Sequence, residues 1–106
     1  MKKIIDGKMY DTETAQYICG YNTEDKNDPD YKEEHLYRKK NGEFFVKGCG
    51  GKDTEYAYKG GLCEYRYYCP NFDYQIRPFE EYEAKEFVEA IGDAETYIRL
   101  FGEVEE

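Results

Sequence analysis

Asn41-Gly42 stands between LYRKK (residues 36–40) and EFFVK (residues 43–47). A two-residue turn needs positive φ at its central positions, which Asn and Gly adopt at little cost, so the flanking runs are expected to return on each other as antiparallel strands. Such a turn also sets the cross-strand pairs. Lys40 then faces Glu43, Arg38 faces Phe45 and Leu36 faces Lys47 on one side, while Lys39 faces Phe44, Tyr37 faces Val46 and His35 faces Gly48 on the other. The side with Tyr, Phe and Val is expected on the core, and the side with Arg38, Lys40, Phe45 and Lys47 is mostly cationic. Asp6-Gly7, between KKII and KMY, repeats the signal and predicts a first hairpin.

In TAQYICGYN (residues 14–22), Ala15, Tyr17, Cys19 and Tyr21 alternate with Gln16, Ile18 and Gly20, the period of a strand. NTEDKNDPDYKEE (residues 22–34) collects Asn, Asp, Pro and charge with no apolar face to bury and reads as an exposed loop. After Pro78 the period changes. From Glu80 to Ile91, Ala84, Phe87, Val88 and Ile91 share one helical face, and Asp93 then caps a second helix carrying Ala94, Tyr97, Ile98 and Phe101 at i, i+3, i+4 and i+7. Gly92 and Gly102 end the two. A chain of 106 residues has room for one core, so residues 1–106 are expected to form a single α+β domain. Its sheet is antiparallel, of four to five strands with hairpins at Asp6-Gly7 and Asn41-Gly42, and two short C-terminal helices pack on it.

The middle of the chain constrains less. LCEYRYYC (residues 62–69) places Cys63, Tyr65, Tyr67 and Cys69 on one face of a strand and Leu62, Glu64, Arg66 and Tyr68 on the other. Exposed tyrosines bring area to protein interfaces at low entropy cost, but a strand buried on both sides accounts for the same pattern. Along a strand, Cys63 and Cys69 lie about 20 Å apart, too far for a disulfide. The gaps of 29, 13 and 5 residues between the four cysteines contain no close ligand pair of the kind structural zinc sites use. Reduced, mostly buried thiols are therefore expected, with no metal and no cofactor. GCGGKDT (residues 48–54) is not a phosphate loop, because Asp53 follows Lys52 where Ser or Thr is needed and no helix pattern comes after it. MKKII opens like a secretory signal, yet Asp6, Gly7 and Lys8 interrupt it, and no run is long enough to span a bilayer. A cytoplasmic chain without membrane contact is expected.

Charge divides the chain. Residues 1–78 hold 13 Lys and Arg against 14 Asp and Glu, whereas residues 79–106 hold two against ten, so eight of the nine net negative charges sit at the C-terminal end. Glu83, Glu86 and Glu89 are expected to project away from the apolar stripe of the first helix with Tyr82 beside them, and Glu95, Glu103, Glu105 and Glu106 continue the field. Changes at such surface positions are expected to leave the fold intact. Carboxylates one helical turn apart are separated by about 5.4 Å along the axis, on the order of the spacing between successive phosphates. Such a field repels DNA and steers toward the basic groove of a nucleic-acid enzyme, although outward Glu ordinarily serves solubility alone. The alternative is a nucleic-acid face made of Arg38, Lys40, Phe45 and Lys47, with an aromatic ring available for stacking. His35 is the only histidine, and no Ser, Cys or Asp spacing around it forms a triad; a Cys49–His35 dyad requires sheet pairing to bring the two together. A protein without enzymatic activity is expected.

MKKIIDGKMYDTETA (residues 1–15), LYRKKNGEFFVKGCGG (residues 36–51) and IRPFEEYEAKEFVEAIGDAETYIRLFGEVEE (residues 76–106) resemble segments of small acidic accessory proteins carried by phages, plasmids and conjugative elements of Firmicutes, a group that includes type II anti-CRISPR proteins. The resemblance covers well over half the chain; GKDTEYAYKGGLCEYRYYCPNF (residues 51–72) departs from it. It implies a non-enzymatic inhibitor whose partner is a host CRISPR effector nuclease or its guide complex.

Overall fold

The computed structural model describes residues 1–25, 27–51, 53–56 and 74–106. Strands β1 (Lys2–Ile5) and β2 (Lys8–Asp11) form the first hairpin, with Ile5 opposite Lys8 and the turn residues Asp6 and Gly7 at φ 53° and 78°, as a two-residue turn requires. Strands β3 (Gln16–Asn22), β4 (Lys32–Arg38), β5 (Phe44–Gly50) and β6 (Gln75–Phe79) make an antiparallel sheet in that order. Helices α1 (Glu81–Ile91) and α2 (Ala94–Phe101) complete an α+β fold. Among the described residues no helix is long and apolar enough to cross a membrane. The segment with Cys63, Tyr65, Tyr67, Tyr68 and Cys69 lies outside the described residues.

The sheet is covered on both sides. Leu36, Phe44 and Val46 meet Ala84, Phe87 and Val88 of α1, with Tyr97, Leu100 and Phe101 of α2 at the margin. On the opposite face Phe45 and Ile76 pack against Tyr10 of the first hairpin. Double coverage explains why Phe44, Phe45 and Val46 are consecutive and all buried, where a strand with one wet face alternates.

Asn41-Gly42 does not make the expected two-residue turn. The Lys39 N–H donates to the Glu43 carbonyl at 2.7 Å and the Gly42 N–H to the Lys39 carbonyl at 2.9 Å, with Gly42 at φ 93°. Lys40, Asn41 and Gly42 are thus a three-residue loop closed by a glycine in a positive-φ conformation. Arg38 lies opposite Phe44, Tyr37 opposite Phe45 and Leu36 opposite Val46. A slip of one residue moves side chains to the other face, so Arg38 joins the helix-covered side while Phe45 and Lys47 occupy the other. The Asn41 side chain favours the longer loop: its Oδ1 accepts from the Glu43 N–H and its Nδ2 donates to the Glu43 carboxylate, both at 3.0 Å.

Two further departures are local. The register of β3 shifts between Tyr17 and Cys19, so Ile18 is an extra residue and the strand's alternation breaks there. Tyr17 therefore meets Tyr37, while Cys19 and Tyr21 pack on the α1 side. The acidic loop is also shorter than expected, because β4 begins at Lys32 and Tyr31 is fully buried. The Tyr31 carbonyl accepts the Gly51 N–H at 2.9 Å, which ties the loop to the end of β5.

Candidate protein-interaction surface

α1 starts on a reciprocal cap. Glu80 is extended, its side chain accepts the Glu83 backbone N–H, and the Glu83 carboxylate accepts the Glu80 N–H at 2.9 Å. Glu83 is therefore a capping residue and only partly exposed, in contrast to the free surface carboxylate expected of it. Burial of Ala84, Phe87 and Val88 turns Tyr82, Glu86 and Glu89 outward at i, i+4 and i+7, all three exposed. Gly92 ends α1, and the Asp93 carboxylate accepts the Thr96 N–H at 2.8 Å to open α2. Glu95, Glu103, Glu105 and Glu106 are exposed as well.

The acids of the sheet are in a different state. Glu34 is buried and accepts from the Tyr21 hydroxyl at 2.6 Å and the Tyr56 hydroxyl at 2.5 Å, with Arg77 and Lys32 within ion-pair distance at 3.6 and 3.7 Å. Burial, reinforced by donation to this carboxylate, pushes both phenols far above their ordinary range. Glu33 accepts from Tyr31, Tyr74 and His35 at 3.0, 2.9 and 2.7 Å. Burial works against its charge, but the hydrogen bonds from His35, Tyr74 and Tyr31 outweigh that and hold Glu33 below the usual carboxylate range. Glu43, held by Lys8, Asn41 and Lys39, is brought down to about 2. Among the described residues, every side-chain ion pair uses an acid that precedes α1, and no carboxylate from Glu80 onward has one.

The cationic quartet expected on the hairpin is not assembled. Phe45 is fully buried against Tyr10, and Arg38 is on the opposite face with its guanidinium 5.5 Å from the Phe44 ring. Lys47 lies 4.3 Å from the Tyr74 ring, and Lys40 is exposed in the loop. The one-residue register difference separates them. The Cys49–His35 dyad is not formed either, since Nδ1 of His35 meets the Tyr17 hydroxyl at 3.1 Å and Nε2 meets Glu33. Burial raises the Tyr17 phenol above its ordinary range.

Beside the acidic face, the bend between the helices leaves a groove of about 500 Å³ lined by Val88, Gly92, Ala94, Tyr97, Ile98 and Val104, together with Glu89, Asp93 and Glu105. Ala94, Ile98 and Ile91 belong to the stripes expected to pack inside, yet all three are exposed to solvent in whole or part. α2 spans only eight residues and packs through Tyr97, Leu100 and Phe101 on the core shared by the sheet and α1, with the Phe101 ring 5.5 Å from that of Phe44. The neighbouring Ala94–Ile98 row consequently faces the groove. In comparisons with known proteins, no family model, curated protein or solved structure matches the chain.

Proposed function

We propose that this chain is a non-enzymatic inhibitor carried by a mobile genetic element, which occupies a basic nucleic-acid site on an RNA-guided CRISPR nuclease with its acidic helical layer. One observation carries the reading: among the described residues the carboxylates of the helices have no ion pairs, whereas those of the sheet are held by cations and tyrosine hydroxyls. A carboxylate already paired contributes little to an external field, but the exposed Glu86, Glu89, Glu95 and Glu103 keep theirs. Tyr82, 65% exposed on the same face as Glu86 and Glu89, supplies an aromatic contact of the kind that anchors interfaces. The acidic character of this layer favours a cationic partner surface over nucleic acid.

The test is guide-directed DNA cleavage by a type II effector nuclease, with the protein added before or after guide loading. Glu86→Lys combined with Glu89→Lys is expected to abolish inhibition, while Lys40→Glu is expected to leave it in place. Full inhibition by the double variant would overturn the proposal.

A further inference from the structure

We infer that the groove between α1, α2 and Val104 is the docking site for an amphipathic basic helix of the protein partner, which gives the acidic layer an apolar anchor. This rests on the reading that the layer is the working surface, and it adds what the partner must present there. The groove is open and exposes apolar side chains beside its acids: Ile98 is 37% exposed and Val104 56%, and Gly92 adds no side chain to the lining. Its volume, about 500 Å³, has room for several aliphatic side chains of an incoming segment.

Charge selects the occupant. Glu89, Asp93 and Glu105 line the groove together with its apolar residues, and among the described residues neither Lys nor Arg lines it. Nucleic acid is excluded by like charge, and a second copy of the chain would set one acidic lining against another. A segment with apolar residues at i, i+3, i+4 and i+7 and Lys or Arg on its flanks satisfies the apolar and acidic residues together. Apolar burial also adds a contribution that salt does not screen, so binding through the groove persists where a purely charge-based contact dissociates.

The probe is a dye-labelled 14-residue peptide, roughly the length of an ordinary helix, with Leu at i, i+3, i+4 and i+7 and Lys elsewhere. Its binding to the full chain is followed by fluorescence anisotropy, and its position by amide chemical shifts. Binding is expected with shifts concentrated at Ala94, Ile98 and Val104, and both a Leu→Ser and a Lys→Glu version of the peptide are expected to fail. Ile98→Ser should weaken the peptide by about tenfold or more. Val104→Lys, which lies outside both helices, should do the same without touching the fold. No binding, binding insensitive to both variants, or shifts confined to the sheet would overturn the inference. If the peptide fails while Glu86→Lys with Glu89→Lys still abolishes nuclease inhibition, the inference falls and the functional proposal stands. If the peptide binds in the groove while that double variant inhibits fully, the docking site stands and the nuclease proposal falls.

Discussion

Phe45 stacks on Tyr37 with ring centroids 5.3 Å apart and planes 8° from parallel, and Tyr10 meets the same ring edge-on at 5.5 Å. The first hairpin thereby docks onto the sheet through a ring that has no exposure at all. Phe45→Ala is expected to cost about 3–5 kcal/mol, whereas Lys40→Ala in the exposed loop should stay within about 0.5 kcal/mol. Urea denaturation measures both. A Phe45→Ala protein as stable as the parent would put the ring back on the surface and restore the basic hairpin as a candidate site.

Glu83 separates fold from function within the acidic layer. Because its carboxylate receives the Glu80 N–H, Glu83→Lys removes a cap and places a cation at a helix N-terminus. The expected loss is about 1–2 kcal/mol. Glu83→Gln, which still accepts the bond, should stay close to the parent, and so should Glu86→Lys and Glu89→Lys. Equal stability of the Lys and Gln variants at position 83 would show that the cap contributes nothing.

Features that depend on nearby residues were legible in the sequence. Asp6-Gly7 announces its turn by residue type, and Ala84, Phe87 and Val88 announce their buried stripe by period, which in turn places Glu86 and Glu89 outside. The same reasoning missed the register at Asn41-Gly42, because this dipeptide serves two-residue and three-residue loops alike and the Asn41 side chain decides between them. The bulge at Ile18 leaves no mark in an alternating pattern. Glu80 and Glu83 have the spacing of a capping box but lack the Ser or Thr that usually identifies one. The tyrosine–carboxylate clusters were hidden for another reason: Tyr56 and Glu34 are 22 residues apart, and only the sheet brings them together. The groove emerged because α2 rests on Tyr97, Leu100 and Phe101, a choice between adjacent apolar rows that periodicity does not make.

Tyr56 lies directly over Gly48. A methyl group at position 48 would meet the Tyr56 ring and hydroxyl at 2.5 Å and the Glu33 carbonyl at 3.0 Å. Neither neighbour yields easily, since Tyr56 is buried and bonded to Glu34 and the carbonyl belongs to β4. Gly48→Ala should therefore destabilise by about 1–3 kcal/mol. Tyr56→Phe, which keeps the ring but removes a hydrogen bond to a charged group, should lose about 1.5–3 kcal/mol. A Gly48→Ala midpoint at the parent value would mean that the ring does not sit on the glycine, and a Tyr56→Phe midpoint at the parent value would mean that the bond to Glu34 contributes nothing.

The titration behaviour of these clusters predicts a stability plateau bounded on both sides. Glu33 and Glu43 have folded values below the ordinary 4.5, so their contribution is present above that pH and is lost as pH falls through the folded values, about 2 for Glu43. The phenols shift the other way. Tyr17, Tyr21, Tyr37, Tyr56 and Tyr74 are raised above 10.0 with burial as the leading cause, and Tyr31 is pushed up to about 12 by burial and its bond to Glu33. Their contribution is complete below pH 10 and disappears as pH rises through the folded values. Urea midpoints are expected to be level from about pH 5 to 9 and to fall on either side. Phenolate absorbance gives the sharper check, because in denaturant all 13 tyrosines should ionise together near about pH 10. In the folded chain at about pH 11, Tyr21, Tyr31, Tyr56 and Tyr74 should remain protonated, and their ionisation should coincide with unfolding. A folded protein whose tyrosines all titrate in one wave near pH 10 would show that the hydroxyls of Tyr21, Tyr31, Tyr56 and Tyr74 are not committed to Glu33 and Glu34.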